Sequence, residues 1–155
     1  MEPYSKPMAA AALIQNDAGA LLIVKPNYRE GWLLPGGMVE FNESPKQACR
    51  REINEEVGLE LQVGRLLCVD YQSMDYQNND RHGVESLKFL FDGGVVTRAQ
   101  TASIVLQEDE LNAHTFVSPA EALRKLSRAL SRRTRHALTA QQTGQTFYLE
   151  NQALS

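Results

Sequence analysis

The sequence offers little for a thiolate or disulfide scaffold: two cysteines in 155 residues, and three scattered histidines. Cys49 and Cys68 lack the paired spacing of a zinc site, and His82, His114 and His136 stand far apart. The cysteines therefore read as reduced packing residues, and the histidines as surface or core side chains. No apolar run approaches the roughly 20 residues of a membrane span. The apolar stretch from Met8 to Ile14 is too short, and no basic region and cleavage site mark it as a signal peptide. The expected location is therefore cytoplasmic, with no membrane partner. A strong excess of one charge is also missing, since the net charge is −3.

That small net charge hides an asymmetry. Residues 1–117 hold 10 Lys and Arg against 17 Asp and Glu, whereas residues 118–155 hold 6 against 2. An acidic body suits a metal-dependent enzyme better than a nucleic-acid groove, so nucleic acid is not the expected partner. The length fits one domain, residues 1–155, with a real core. A homodimer is the commonest assembly open to such a chain.

The densest information lies between residues 37 and 59. Glu52, Glu55 and Glu56 follow one another at spacings of three and four. At about 100° per residue they share one helix face within an arc of roughly 100°. Like charges so placed repel by roughly 0.2–0.5 kcal/mol per pair, and the helix dipole disfavours anions near its carboxyl end. A divalent cation removes both penalties, because hard cations take carboxylate oxygens. The helix itself is signalled by Ser44 as N-cap, Pro45 at the first position and Gln47 closing a capping box. Gly58 fits the terminating position. Cys49, Ile53 and Val57 form its buried stripe, while Gln47, Arg50 and Asn54 face solvent. Ala48 shares the glutamate arc and leaves room beside it. Arg51 can pair with Glu55 or reach back to Glu43. Before the helix, Leu33-Leu34-Pro35-Gly36-Gly37 reads as a strand end followed by a glycine turn.

The stretch from Gly37 to Leu59 resembles the Nudix box. That pattern is Gly, five residues, Glu, seven residues, then Arg-Glu-aliphatic-any-Glu-Glu-any-Gly-aliphatic. Gly37, Glu43, Arg51, Glu52, Ile53, Glu55, Glu56, Gly58 and Leu59 fill it completely. Seven fixed positions match by chance about once in 10⁸ to 10⁹ starts. The resemblance implies an α/β (α+β) fold, an α/β/α sandwich with a mixed β-sheet between helices. It implies hydrolysis of a diphosphate linkage in a nucleoside diphosphate joined to another moiety X, with Mg²⁺ or Mn²⁺. The substrate would be a nucleoside triphosphate, a dinucleoside polyphosphate or a nucleotide sugar. By position, Glu52, Glu55 and Glu56 would hold the metal with the Gly36 carbonyl. Arg51 and Glu43 would orient them through a salt bridge. Glu52 would serve as ligand or as general base, with Glu55 also in the catalytic set.

Outside the box the resemblance points to an additional acid in the loop at Glu108-Asp109-Glu110. Glu110 is the favoured member, and a solvated acidic loop is the competing reading. Tyr76 lies 17 residues beyond Leu59, near the tyrosine of members acting on dinucleoside polyphosphates. A lone loop tyrosine otherwise reads as an amphipathic surface residue. The proline of members directed to ADP-ribose is absent from this region. Tyr28, Trp32 and Phe41 flank the box and could stack a base, or serve as strand-end and core aromatics. Arg124, Lys125, Arg128, Arg132, Arg133 and Arg135 read as a solvated helical face, with binding of substrate phosphates, RNA or a partner as the alternative. That stretch also supports a second class of function, a non-catalytic Nudix-type ligand sensor or RNA-binding module.

The remaining elements follow from pattern. Met8 to Gln15 and Ala20 to Val24 read as strands of a hairpin around Asn16-Asp17-Ala18-Gly19. Trp32 to Leu34, Leu61 to Gln72, Ser86 to Phe91 and Thr115 to Val117 read as further strands. Asp92-Gly93-Gly94 reads as a turn, and Ser73 to Gly83 as a mobile loop beside the site. A C-terminal helical segment spans about 118–142. It is opened by the capping pair Ser118 and Glu121, with Leu123, Leu126 and Leu130 as its stripe. Ser131 either begins a third helix or continues the second. Phe147 to Leu149 closes the chain as a strand or packed tail.

Overall fold

The computed structural model describes residues 3–74 and 85–155. Its elements are β1 (Met8–Gln15), β2 (Leu21–Pro26), β3 (Gly36–Met38), α1 (Pro45–Val57), β4 (Leu66–Gln72) and β5 (Ser86–Val95). Then come α2 (Arg98–Ala102), β6 (Leu111–Val117), α3 (Pro119–Lys125), α4 (Arg128–Thr143), β7 (Phe147–Glu150) and β8 (Ala153–Leu154). The strands join in the order β6-β2-β1-β5-β4-β7-β8, with β3 added to β1. The β1–β5 and β4–β7 pairs are parallel and the others antiparallel, so the sheet is mixed.

Both faces of this sheet are covered, which explains why β1 reads as an unbroken apolar run. On one face Ala10, Ala12 and Ile14 pack with Cys49, Ile53 and Val57 of α1. On the other, Leu13, Ile23, Leu67 and Leu90 pack with Ala122, Ala137 and Ala140 of α3 and α4. Both cysteines are free and buried, and burial pushes each thiol up to about 12, so neither is poised as a nucleophile.

Helix α1 forms for local reasons. Ser44 Oγ accepts from the Gln47 amide at 3.1 Å, and Gln47 Oε1 accepts from the Ser44 amide at 2.9 Å. Gly58 ends the helix at φ 72°, a conformation glycine adopts without a Cβ penalty. Ser44→Ala is expected to cost about 1 kcal/mol, read as a lower urea midpoint at unchanged slope.

Several expectations are corrected. The segment Trp32 to Leu34 is not a strand; it makes only the isolated bridges Val24↔Leu33 and Trp32↔Leu126. The glycine pair is not a turn either, since Gly36 to Met38 is itself β3, paired with Ala9 to Ala11. β1 and β2 pair only at Gln15↔Leu21, and β3 enters the gap where they part. Strand β4 starts at Leu66 rather than Leu61. β5 runs through Asp92-Gly93-Gly94 to Val95 because backbone carbonyl and side chain of β1 press on Gly93. A Cβ there would lie 2.7 Å from Ile14 Cγ1 and 2.8 Å from Leu13 O. The third helix starts at Arg128, not Ser131, because Ser127 caps it through the Leu130 amide. Ser118 caps α3 as expected, but the Glu121 carboxylate turns to Arg124 at 2.5 Å. The short α2, capped by Thr97, was not foreseen.

Arg133 is the largest departure. It is 5% exposed, with Nε 2.8 Å from Asp70 Oδ2. Asp70 Oδ1 also accepts from the Gln152 amide at 3.0 Å. This buried pair ties α4 and the tail to β4, so the basic stretch is not uniformly solvated.

Candidate active site

The glutamate face is graded in depth. Glu56 is buried, the Glu52 side chain is 17% exposed and that of Glu55 49%. Glu56 Oε1 accepts from the Gly36 amide at 2.7 Å, which clasps α1 to β3. Burial pushes its carboxyl up to about 8, and the charges of Glu52, Glu110 and Glu55 add to this. Glu52 is raised as well, by burial first and then by Glu55 and Glu110, against the opposing pull of Arg51.

Arg51 organises the outer carboxylates. Its Nε and Nη2 meet Glu43 at 2.7 and 2.9 Å in a two-pronged pair. Nη1 donates to Glu52 at 2.9 Å and to Glu55 at 3.2 Å, and lies 3.6 Å from Glu40. Nη2 also donates to the Met38 carbonyl at 3.1 Å. The hydrogen bonds from Arg51 hold Glu43 down at about 2. Arg51 thus takes both roles that the sequence left open. Among the described residues no three His, Cys, Asp or Glu side chains converge to grip an ion. Arg51 holds Glu52 and Glu55, and the Gly36 amide holds Glu56.

The two glycines beside this face are used differently. A Cβ on Gly37 would collide with the Glu52 carboxyl group. A Cβ on Gly36, at φ 154°, would collide with the Ala10 carbonyl and lie 2.6 Å from Ala11 Cβ. Bare backbone is what lets Glu52 and β1 approach β3 so closely.

Glu110 is the member of the acidic loop whose charge reaches Glu52, Glu56 and Tyr28. Asn27, which sequence reasoning missed, fixes that loop: its amide donates to Glu110 O at 2.8 Å, and its side chain to Glu108 O and Asp109 O. Tyr28 stands beside the acids; it is 65% exposed, and partial desolvation followed by the charge of Glu56 raises the pKa of its hydroxyl. Trp32 is not brought to them; Lys125 Nζ lies 5.7 Å from its ring centroid. Phe41 is fully exposed. Tyr76 and most of the Ser73 to Gly83 loop lie outside the described residues, as does His82.

Beside β3 lies a cavity of about 880 Å³ between the strands and α4. Tyr28, Gly36 and Gly37 line it on the acidic side, and Arg128, Arg132 and Arg133 on the helical side. Arg29 and Lys88, not singled out from sequence, also line it.

A mixed sheet between helices, with an acidic helix face clasped to a glycine strand, defines an α+β sandwich built around the Gly37–Leu59 motif. The NUDIX domain model matches residues 5–138, and the chain belongs to that family. Diphosphoinositol polyphosphate phosphohydrolase 2 of Rattus norvegicus is 39% identical over 61 residues, covering 39% of this chain and 31% of that protein. A MutT-like protein of Streptomyces ambofaciens is 30% identical over 109 residues, covering 68% of this chain and 66% of that one. The chain thus spans about a third to two thirds of the length of these relatives. The solved MutT protein from Methanosarcina mazei Go1 has the same fold, with a TM-score of 0.68 at 24% identity over 92% of this chain and 99% of that one.

Proposed function

We propose that this protein is a divalent-cation-dependent pyrophosphohydrolase that cleaves the diphosphate linkage of a nucleoside diphosphate joined to another moiety. The observation that carries this reading is the run of carboxylates on α1, Glu52, Glu55 and Glu56, held by Arg51 and the Gly36 amide beside a cavity of about 880 Å³, with the charge of Glu110 reaching Glu52 and Glu56. The set offers only oxygen donors, which suits Mg²⁺ or Mn²⁺. It would otherwise repel a diphosphate. Glu52, Glu55 and Glu56 would hold the metal, with the Gly36 carbonyl as a further donor. When bound, the metal neutralises charge on the diphosphate oxygens and lowers the pKa of bound water.

The chain's own residues supply position and proton handling. Arg51 holds Glu52 and Glu55 in place and is itself anchored by Glu43. Glu52, with its proton affinity raised by burial, is the base we favour for the attacking water. Glu110 adds negative charge at the same point and is the second candidate. Tyr28 would flank the bound nucleotide.

The test is product analysis on nucleoside triphosphates, dinucleoside polyphosphates, nucleotide sugars and dinucleotides, with Mg²⁺, Mn²⁺ or chelator. Cleavage by the wild type should require metal and fall at least about a hundredfold in Glu55→Gln. Unchanged turnover in chelator or in that variant refutes the reading. Tight binding without turnover on every substrate would favour the sensor alternative. Arg51→Lys should lower kcat/KM by about 10- to 100-fold, because an ammonium cannot hold Glu43, Glu52 and Glu55 together. Activity within twofold of wild type would show that the arginine fork is dispensable.

A further inference from the structure

The cavity beside β3 has a composition that the diphosphate chemistry leaves unexplained. Among the described residues four arginines and a lysine line it, and no carboxylate does. Arg133 is committed to Asp70. Arg29, Arg128 and Arg132 have no carboxylate partner among the described residues. Three arginines lining one space give it a positive charge that an anion there would offset. Guanidinium is also the side chain best shaped to bind phosphate through paired donors. The first turn of α4, Ser127 to Leu130, lines the same space, so the helix dipole adds the same sign.

The acids stand at the β3 end. The Gly36 amide bonds to Glu56, a Cβ on Gly37 would strike Glu52, and both glycines line the cavity. The site therefore carries both signs, with the α1 carboxylates behind β3 and Arg128 and Arg132 on α4. A metal-bound diphosphate belongs at the acidic end. Nothing in a diphosphate uses the arginines on α4, and a neutral sugar would leave them unpaired. A volume of about 880 Å³ also accommodates more than a diphosphate.

We infer that the moiety held in this cavity carries at least one further phosphate beyond the scissile diphosphate, bound by Arg128 and Arg132 of α4, with Arg29 lining the same cavity. Substrates whose second moiety is a phosphorylated group are thereby selected over those with a neutral one. The inference rests on the hydrolase reading for the position of the diphosphate, and the experiment separates the two.

Matched pairs that differ by one phosphate isolate the effect: coenzyme A against dephospho-coenzyme A, and NADP against NAD. Binding is measured by calorimetry with Ca²⁺ in place of Mg²⁺, under conditions where product analysis detects no cleavage, and turnover separately in Mg²⁺ and Mn²⁺. Wild-type protein should bind the phosphorylated member of each pair about tenfold more tightly or better. The double variant Arg128→Gln, Arg132→Gln should reduce that ratio to within about threefold of unity. Both positions are exposed, so the fold is not at stake, and circular dichroism confirms this. A wild-type ratio near one overturns the inference. So does a ratio that survives the double substitution, or binding that favours the unphosphorylated members. A preserved binding ratio with no turnover of any diphosphate supports the phosphate pocket and refutes the hydrolase reading. Turnover without preference does the reverse.

Discussion

Glu56→Gln is expected to lower metal-dependent turnover by about a thousandfold and, in metal-free protein, to abolish a loss of stability on the alkaline side. The carboxyl lies 5% exposed against Gly36, and burial followed by the charges of Glu52, Glu110 and Glu55 pushes it up to about 8. In the unfolded chain it loses its proton near 4.5. Between these values the unfolded state binds fewer protons than the folded one, so stability falls as pH rises. The protonated group's contribution is complete below the lower value and lost as pH passes through the upper one. Its size is at most on the order of 5 kcal/mol. The amide cannot ionise, so the variant should show a flatter urea-midpoint profile from pH 5 to pH 8 in chelator and exceed wild type at the alkaline end. Parallel profiles would show that Glu56 does not carry the buried proton. Glu43 acts in the opposite sense, since Arg51 holds it near 2. The stability it lends is present above 4.5 and declines as pH falls toward 2.

Adjacent glycines should give opposite phenotypes. Gly36→Ala places a methyl group against the Ala10 carbonyl and the Ala11 side chain, at a φ of 154° that L residues rarely adopt. Neither obstacle can rotate away, so β3 must leave β1 or the two must shift together. The expected loss is about 3 kcal/mol or more, with a marked fall in Tm. The three atoms nearest a Cβ at Gly37 all belong to the end of the Glu52 side chain. That carboxylate can swing aside, so the fold should remain within about 1 kcal/mol of wild type while activity falls at least about a hundredfold. Denaturant titration beside steady-state kinetics separates the two effects. Equal stability loss in both variants would contradict the assigned contacts.

What the sequence discloses follows from how locally each element is specified. α1 is legible to the residue at both ends, because Ser44, Gln47 and Gly58 act on backbone within one turn. β1 is legible because a strand buried on both faces needs an unbroken apolar run. β3 is not, since Gly36-Gly37-Met38 has neither β-propensity nor alternation and becomes a strand only because Ala9 to Ala11 lie beside it. Gly93-Gly94 misleads for the same reason: what looks like a turn is a close approach of Leu13 and Ile14. Arg133 did leave a signal, since Ala129, Arg133 and Ala137 repeat every four residues and place the arginine on the alanine stripe that α4 buries. The acidic face was readable from spacing alone. Its partition by Arg51, the Asn27 clamp and the arginine-lined cavity required tertiary proximity between segments far apart in sequence.

On the proposed reading, the two helices that flank the sheet would meet the substrate on different terms. α1 brings the carboxylates from one face of the sheet and α4 brings arginines from the other, with β3 bonded to Glu56 of α1 and lining the cavity that the α4 arginines also line. Amino-acid replacements on the exposed turns of α4 can therefore drift without disturbing the carboxylates. Duplicated copies of such a chain can diverge in diet while keeping one reaction, and a lineage can acquire a new substrate by altering a single helix.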